Sequence, residues 1–159
     1  MRKRSSYKKH EHKTDYVYGR VDASRFINYL MTAGKKTAAE KVFYGALDAI
    51  KNKEKKDPLL VFEEAMKNAS PLVEVRSRRV GGANYQIPQE VEPSRQFFLA
   101  THWLINAARK RKGKPMAEKL AEELTSASKN EGEAIKKKQD THRMAEANRA
   151  FASFLRKKR

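Results

Sequence analysis

The chain has 159 residues, of which 39% are hydrophobic, enough to bury one core and hardly two. Lys and Arg number 36 against 19 Asp and Glu, and the resulting net charge of +17 repels itself unless a polyanion neutralises it. The absence of cysteine excludes disulfides and thiolate metal sites and suits a reducing cytoplasm, while apolar runs broken well short of about 18 residues leave no expectation of membrane insertion or export.

Residues 1–18 lack periodicity and mix charge with Tyr7, Tyr16 and Tyr18; residues 1–14 alone hold six Lys/Arg and one Glu. Too little surface is available there to offset ordering entropy, so we expect a flexible basic arm that orders on its partner. A single domain is expected over residues 19–159. Its first helix should start near Ala23 with Asp22 as N-cap, align Phe26, Ile27, Leu30 and Met31, and stop at Gly34. Thr37 to Glu40 has capping-box spacing for the second helix, although Lys35 and Lys36 can already be helical. Ala39, Val42, Phe43, Ala46, Leu47 and Ile50 form its apolar stripe, and a basic loop through Lys51, Lys53, Lys55 and Lys56 should end it.

Asp57-Pro58 reads as an N-cap followed by proline at the first helical position, with Leu59, Phe62, Met66 and Ala69 in helical spacing up to Pro71. The period then becomes two. Leu72 to Val80 and Ala83 to Val91 flank Gly81-Gly82, a pair suited to a tight hairpin turn, so a hairpin is expected over residues 72–91 with Pro88 on an edge strand. A lone two-stranded ribbon is marginal in water and should lean on helices at its base, presenting Arg76, Arg78 and Arg79 to a partner. Pro93 opens a fourth helix through Phe97, Phe98, Trp103, Leu104 and Ile105 into the run 109–114, which carries five Lys/Arg. A fifth helix follows Pro115 with Met116, Leu120 and Leu124, and Gly132 separates it from a sixth running toward Phe151, Phe154 and Leu155. The fold class is therefore mainly α: a bundle of six helices with one protruding two-stranded β-hairpin between the third and fourth.

Charge location indicates the partner. Residues 1–14 (+5), the run 109–114 (+5) and residues 156–159 (+4) together account for +14 of the +17. A nearly balanced body with basic projections is the arrangement that releases counterions from nucleic acid while the core remains packable. Enzymatic motifs fare poorly. Gly34-Lys35-Lys36-Thr37 has Tyr29 and Lys36 where a nucleotide-binding loop needs glycine and Ser/Thr, though a helix start bearing two lysines suits a backbone phosphate. His10 and His12 lie in an arm without a clear third metal ligand. His142 and Glu146 are one turn apart, and a surface i,i+4 contact explains that spacing without acid/base chemistry. Trp103 and the nearby Phe residues have core spacing; Tyr85, beside the glycine turn, is a residue for base stacking or for packing. No catalysis, cofactor or metal is expected.

The segment Val73-Glu74-Val75-Arg76-Ser77-Arg78-Arg79-Val80-Gly81-Gly82-Ala83-Asn84-Tyr85-Gln86-Ile87-Pro88 closely resembles the signature of the bacterial small-subunit ribosomal protein S seven family. Leu30-Met31 with Gly34-Lys35-Lys36, Trp103-Leu104-Ile105 leading to Ala107-Ala108-Arg109, and His142-Arg143-Met144-Ala145-Glu146-Ala147-Asn148 resemble further family blocks in family order. The resemblance implies six helices with an extended ribbon and a structural, non-catalytic role on the ribosome. Its partners would be the head domain of small-subunit ribosomal RNA, whose assembly it would nucleate, neighbouring small-subunit proteins, and the exit-site transfer RNA and messenger path nearby. Position by position, it implies RNA contacts at Lys35, Lys36, Arg76, Arg78, Arg79, Arg95, Arg109, Lys110, Arg111, Lys112, Lys114, Met116 and Arg143. To these we add Arg2, Lys3, Arg4, Lys8 and Lys9 of the arm and Gly81, Gly82, Asn84 and Tyr85 at the hairpin tip. A nonspecific, nucleoid-like nucleic-acid-packaging protein, equally small and basic, is the alternative.

Overall fold

Both periodicities, helical and alternating, are realised in a computed structural model that describes residues 12–55 and 57–156. The order is α1 (Val21–Leu30), α2 (Lys36–Glu54), α3 (Pro58–Ala69), β1 (Val73–Val80), β2 (Ala83–Glu90), α4 (Pro93–Lys110), α5 (Met116–Ser128) and α6 (Glu133–Ala147), then a 3-10 segment over Arg149–Arg156. The chain divides into two compact units between Glu40 and Lys41, the boundary falling inside α2.

In the first unit the Asp15 carboxylate accepts from the backbone N–H of Val17 and Tyr18 at 3.2 and 3.0 Å, a turn mimicked by a side chain. Helix α1 starts two residues earlier than expected, at Val21, with Arg20 in the N-cap position and no side-chain cap. Asp22 lies instead in the first turn, where its charge suits the positive helix end equally well, which is why composition could not distinguish the two places. The helix ends at Leu30, short of Gly34, because Met31 already leaves the helical region at φ −58° and ψ 139°; the chain then turns through Ala33 and Gly34 at positive φ. Thr37 is no cap, since α2 begins at Lys36; Glu40 faces Lys36 at 3.9 Å.

In the second unit Asp57 Oδ1 accepts the Leu59 N–H at 3.0 Å and Pro58 occupies the first turn of α3, as the sequence implies. We expect Asp57→Ala to cost about 1 kcal/mol by orphaning that donor, seen as a lower urea midpoint at unchanged m-value. Phe62 of α3 meets Phe43 edge-on, ring centroids 5.5 Å apart, and Leu47, Ile50, Leu104, Ile105, Leu120 and Leu124 are fully buried with them. Helix α5 packs on both α3 and α4, and α4 also packs on α6. Burial of this apolar set supplies the main driving force of the unit.

Strands β1 and β2 pair antiparallel from Val73↔Glu90 to Val80↔Ala83, leaving the two-residue turn Gly81-Gly82 with φ of +58° and +91°. Both turn residues therefore adopt the left-handed conformations of a primed hairpin turn, where a side chain would be strained. The ribbon's base is fastened to helices: Ile87 and Val91 are buried, and β1 packs on α6. The sixth helix does not continue to Phe151 and beyond. It stops at Ala147, where Asn148 Nδ2 donates to the Met144 carbonyl at 2.8 Å and satisfies a terminal acceptor. The 3-10 segment then folds against β2, with the Phe151 and Tyr85 rings 5.3 Å apart.

Candidate nucleic-acid interface

Strand pleating decides which hairpin side chains share a face. In the observed register Arg76↔Ile87 and Arg78↔Tyr85 lie on the face that also carries Glu74↔Gln89, whereas Arg79↔Asn84 lies on the opposite one. The three arginines thus serve two surfaces. Arg79, Gly81, Gly82 and Asn84 are exposed at the tip. Tyr85 is half-buried against Phe151, so of its two readings the packing one is realised, with its remaining surface beside the tip.

Glu74 organises the other face. It is only 7% exposed, and its carboxylate accepts from Arg76 Nε at 2.9 Å and from Arg95 Nε at 3.3 Å. One buried anion therefore fixes two exposed guanidinium groups, one on the ribbon and one in the first turn of α4. Arg95 also lies over the Phe98 ring, 5.0 Å from its centroid, and Phe98 stacks on His102 at 4.2 Å. Anchored through Nε on Glu74, and Arg95 on Phe98 as well, the two arginines direct their terminal N–H groups outward with less entropy loss than long flexible side chains would incur.

The run 109–114 divides in the same way. Arg109, Lys110, Lys112 and Lys114 are exposed, but Arg111 turns inward and donates from Nε and Nη2 to Glu123 Oε2 at 3.0 and 2.7 Å. Glu123, 1% exposed, also accepts the Ala134 N–H at the start of α6 through Oε1 at 3.2 Å. Glu122 gathers Lys114, Lys53 and Arg111 around it. Gly132 belongs to this arrangement: its φ is +98°, and a Cβ there would sit 2.9 Å from Glu123 Oε1. Sequence reasoning singled out neither Glu74 nor the pair Glu122-Glu123. The strand alternation gave a signal for the first, since Glu74 has the parity of Ile87's partner Arg76; nothing local distinguished Glu123 from other helical glutamates.

Lys35 and Lys36 are exposed at the start of α2, where the positive end of the helix dipole adds to their charge. Arg143 is exposed on α6 and Met116 is half-buried at the start of α5. Arg2, Lys3, Arg4, Lys8, Lys9 and His10, together with Lys157 to Arg159 of the basic tail, lie outside the described residues. Among the described residues no group of three His, Asp or Glu could hold a metal.

His142 has a partner beyond its own helix. Its Nε2 accepts the Leu72 N–H at 3.1 Å, tying α6 to the base of the ribbon. Burial and the Lys138 charge hold the imidazole below its ordinary value, and Lys138 itself is committed to the Asn68 carbonyl at 2.7 Å. A lowered folded pKa means that the folded chain binds fewer protons than the unfolded one. The contribution of His142 is then complete above its ordinary value of 6.5 and is lost as pH falls toward the folded value. His102 is shifted in the same direction by burial and by Arg109 and Arg95. We therefore expect the stability of the parent protein minus that of His142→Gln to shrink between about pH 7 and pH 5.5, measured by urea unfolding at each pH; a difference constant over that range would refute the assignment.

Residues 1–149 match the sequence pattern of the family described as Ribosomal protein S7p/S5e. Similar proteins include one from Thermotoga petrophila, 59% identical over 140 residues covering 88% of this chain and 90% of the relative. Another is from Thermotoga maritima, 55% identical over 154 residues, 97% of this chain and 99% of the relative. A third, from Teredinibacter turnerae, is 53% identical over the same length and shares. Each of the three is called small ribosomal subunit protein uS7.

Proposed function

Because the chain belongs to the ribosomal protein S7p/S5e family, and is thus a non-catalytic protein of the small ribosomal subunit working in the cytoplasm with ribosomal RNA and other ribosomal proteins, we propose that it is a primary binder of the head domain of that RNA. In this role it nucleates head assembly and lies beside the exit-site transfer RNA and the messenger path. The observation that carries the reading is the pair Arg76 and Arg95, preset on the buried Glu74 where ribbon meets helix. A rigid cationic edge of that kind matches a folded RNA junction by shape, which a nonspecific packaging protein does not need. The RNA contacts are assigned to Arg76, Arg78, Arg79 and Arg95, to Lys35 and Lys36, to Arg109, Lys110, Lys112 and Lys114, and to Arg143, with Gly81, Gly82, Asn84, Tyr85 and Met116 as close neighbours. Arg111 supports the loop from within.

The test is binding of the purified protein to a folded head-domain RNA fragment, a scrambled RNA of equal length and duplex DNA across a salt series. Preference for the fragment that persists at moderate salt supports the reading. Equal affinity for all three, vanishing together as salt rises, would instead identify a nonspecific polyanion binder.

A further inference from the structure

Helices α4 and α6 pack on each other and leave between them a cleft of about 620 Å3, a volume suited to a small ligand. Trp103 and Lys110 line it from α4, two turns apart on one helix face; Glu133, Lys136, Lys137 and Asp140 line it from α6 with the spacing of a single face. Trp103 is half-buried rather than sealed in the core. Lys110, Lys136 and Lys137 are exposed, and among the described residues their ammonium groups enter no ion pair. With Arg109 on the rim, four cations face two carboxylates.

We propose that this cleft binds an unpaired RNA nucleotide, its base stacked on Trp103 and its flanking phosphates held by Lys110, Lys136 and Lys137. An aromatic face inside a cationic rim matches a nucleotide, which presents a π-face and an anion on one unit. An acidic peptide would satisfy the lysines but leave the indole without a partner, and a duplex keeps its bases within the stack. Glu133 and Asp140 repel bare phosphate at the cleft, yet accept hydrogen bonds from the amino or imino N–H of a base edge. They turn a general anion site into one for nucleotides. The proposal rests on the RNA-binding reading above only for the identity of the polymer.

Trp103 is the only tryptophan of the chain, so its emission reports on the cleft alone. The experiment titrates the full-length protein with a short unpaired oligoribonucleotide, an RNA duplex and polyglutamate. Unpaired RNA should quench Trp103 to saturation, and the duplex and polyglutamate should not. Lys136→Gln with Lys137→Gln should weaken the quenching titration by about tenfold or more, whereas Lys41→Gln with Lys67→Gln, exposed lysines of α2 and α3 that carry no assigned RNA contact, should leave it within about twofold. Equal quenching by polyglutamate, absence of saturable quenching, or indifference to the α6 lysines overturns the proposal. Selective binding of the head-domain fragment without quenching overturns the cleft alone; quenching without such selectivity overturns the head-domain reading and leaves the cleft standing.

Discussion

Replacing Arg111 by methionine should destabilise the protein by about 3 kcal/mol and lower Tm by roughly 6 to 12 °C, although Arg111 sits in the middle of a basic run. The reason is Glu123, a carboxylate 1% exposed whose Oε2 has Arg111 as its cationic partner. Methionine preserves the stem of the side chain but strands a charge that cannot be rehydrated without opening the contact of α5 with the start of α6. Arg111 is itself a third exposed, which puts the cost toward the lower end for a broken buried pair. Removing the charge as well, in the double variant with Glu123→Gln, should recover part of the loss, because glutamine can still accept from Ala134 N–H. Thermal melts of the two variants decide the matter. A loss under about 1 kcal/mol for Arg111→Met would mean that water already reaches Glu123. Lys112→Met, the neighbouring exposed change, should shift stability by less than about 0.5 kcal/mol.

The largest effect on RNA should come from Arg76→Gln, Arg78→Gln and Arg79→Gln combined. Each phosphate contact releases close to one counterion, so the slope of log affinity against log salt should flatten by about 2 to 3. Three such contacts amount to nearly a thousandfold in affinity at about 0.1 M salt. Glu74 already offsets part of the charge of Arg76, so a loss of about a hundredfold for the head-domain fragment is the better figure. Because Arg79 is on the other face of the ribbon from Arg76 and Arg78, its change should add almost independently to those of the other two. Binding to the fragment, measured across salt, checks both parts; a loss under about threefold with an unchanged slope would remove the hairpin from the interface.

Glu74 shows how much of the site was legible in advance. The sequence marks the arginines and the turn, since a run of cations around two glycines can be read residue by residue. It does not mark the anion that positions them. An acidic residue in a basic strand looks like a solubility device until the register shows it beside Ile87's row and within reach of Arg95, 21 positions away. The same holds for Tyr85, which meets Phe151 from a segment that periodicity assigned to a continuous sixth helix.

Local features could be read from the residues alone: six helices and one hairpin in their order, the proline and glycine punctuation between them, the apolar stripes, the placement of cations, and the family. These depend on patterns within a few residues, where side-chain period and backbone preference act directly. How the charges and the indole are shared out emerges from the packing: Arg111 goes to a buried carboxylate, Arg76 and Arg95 to a common one, His142 to the ribbon's base, and Trp103 to a cleft instead of the core. A charge's role depends on what opposes it and on how much water reaches it, and both are set by chain segments distant in sequence.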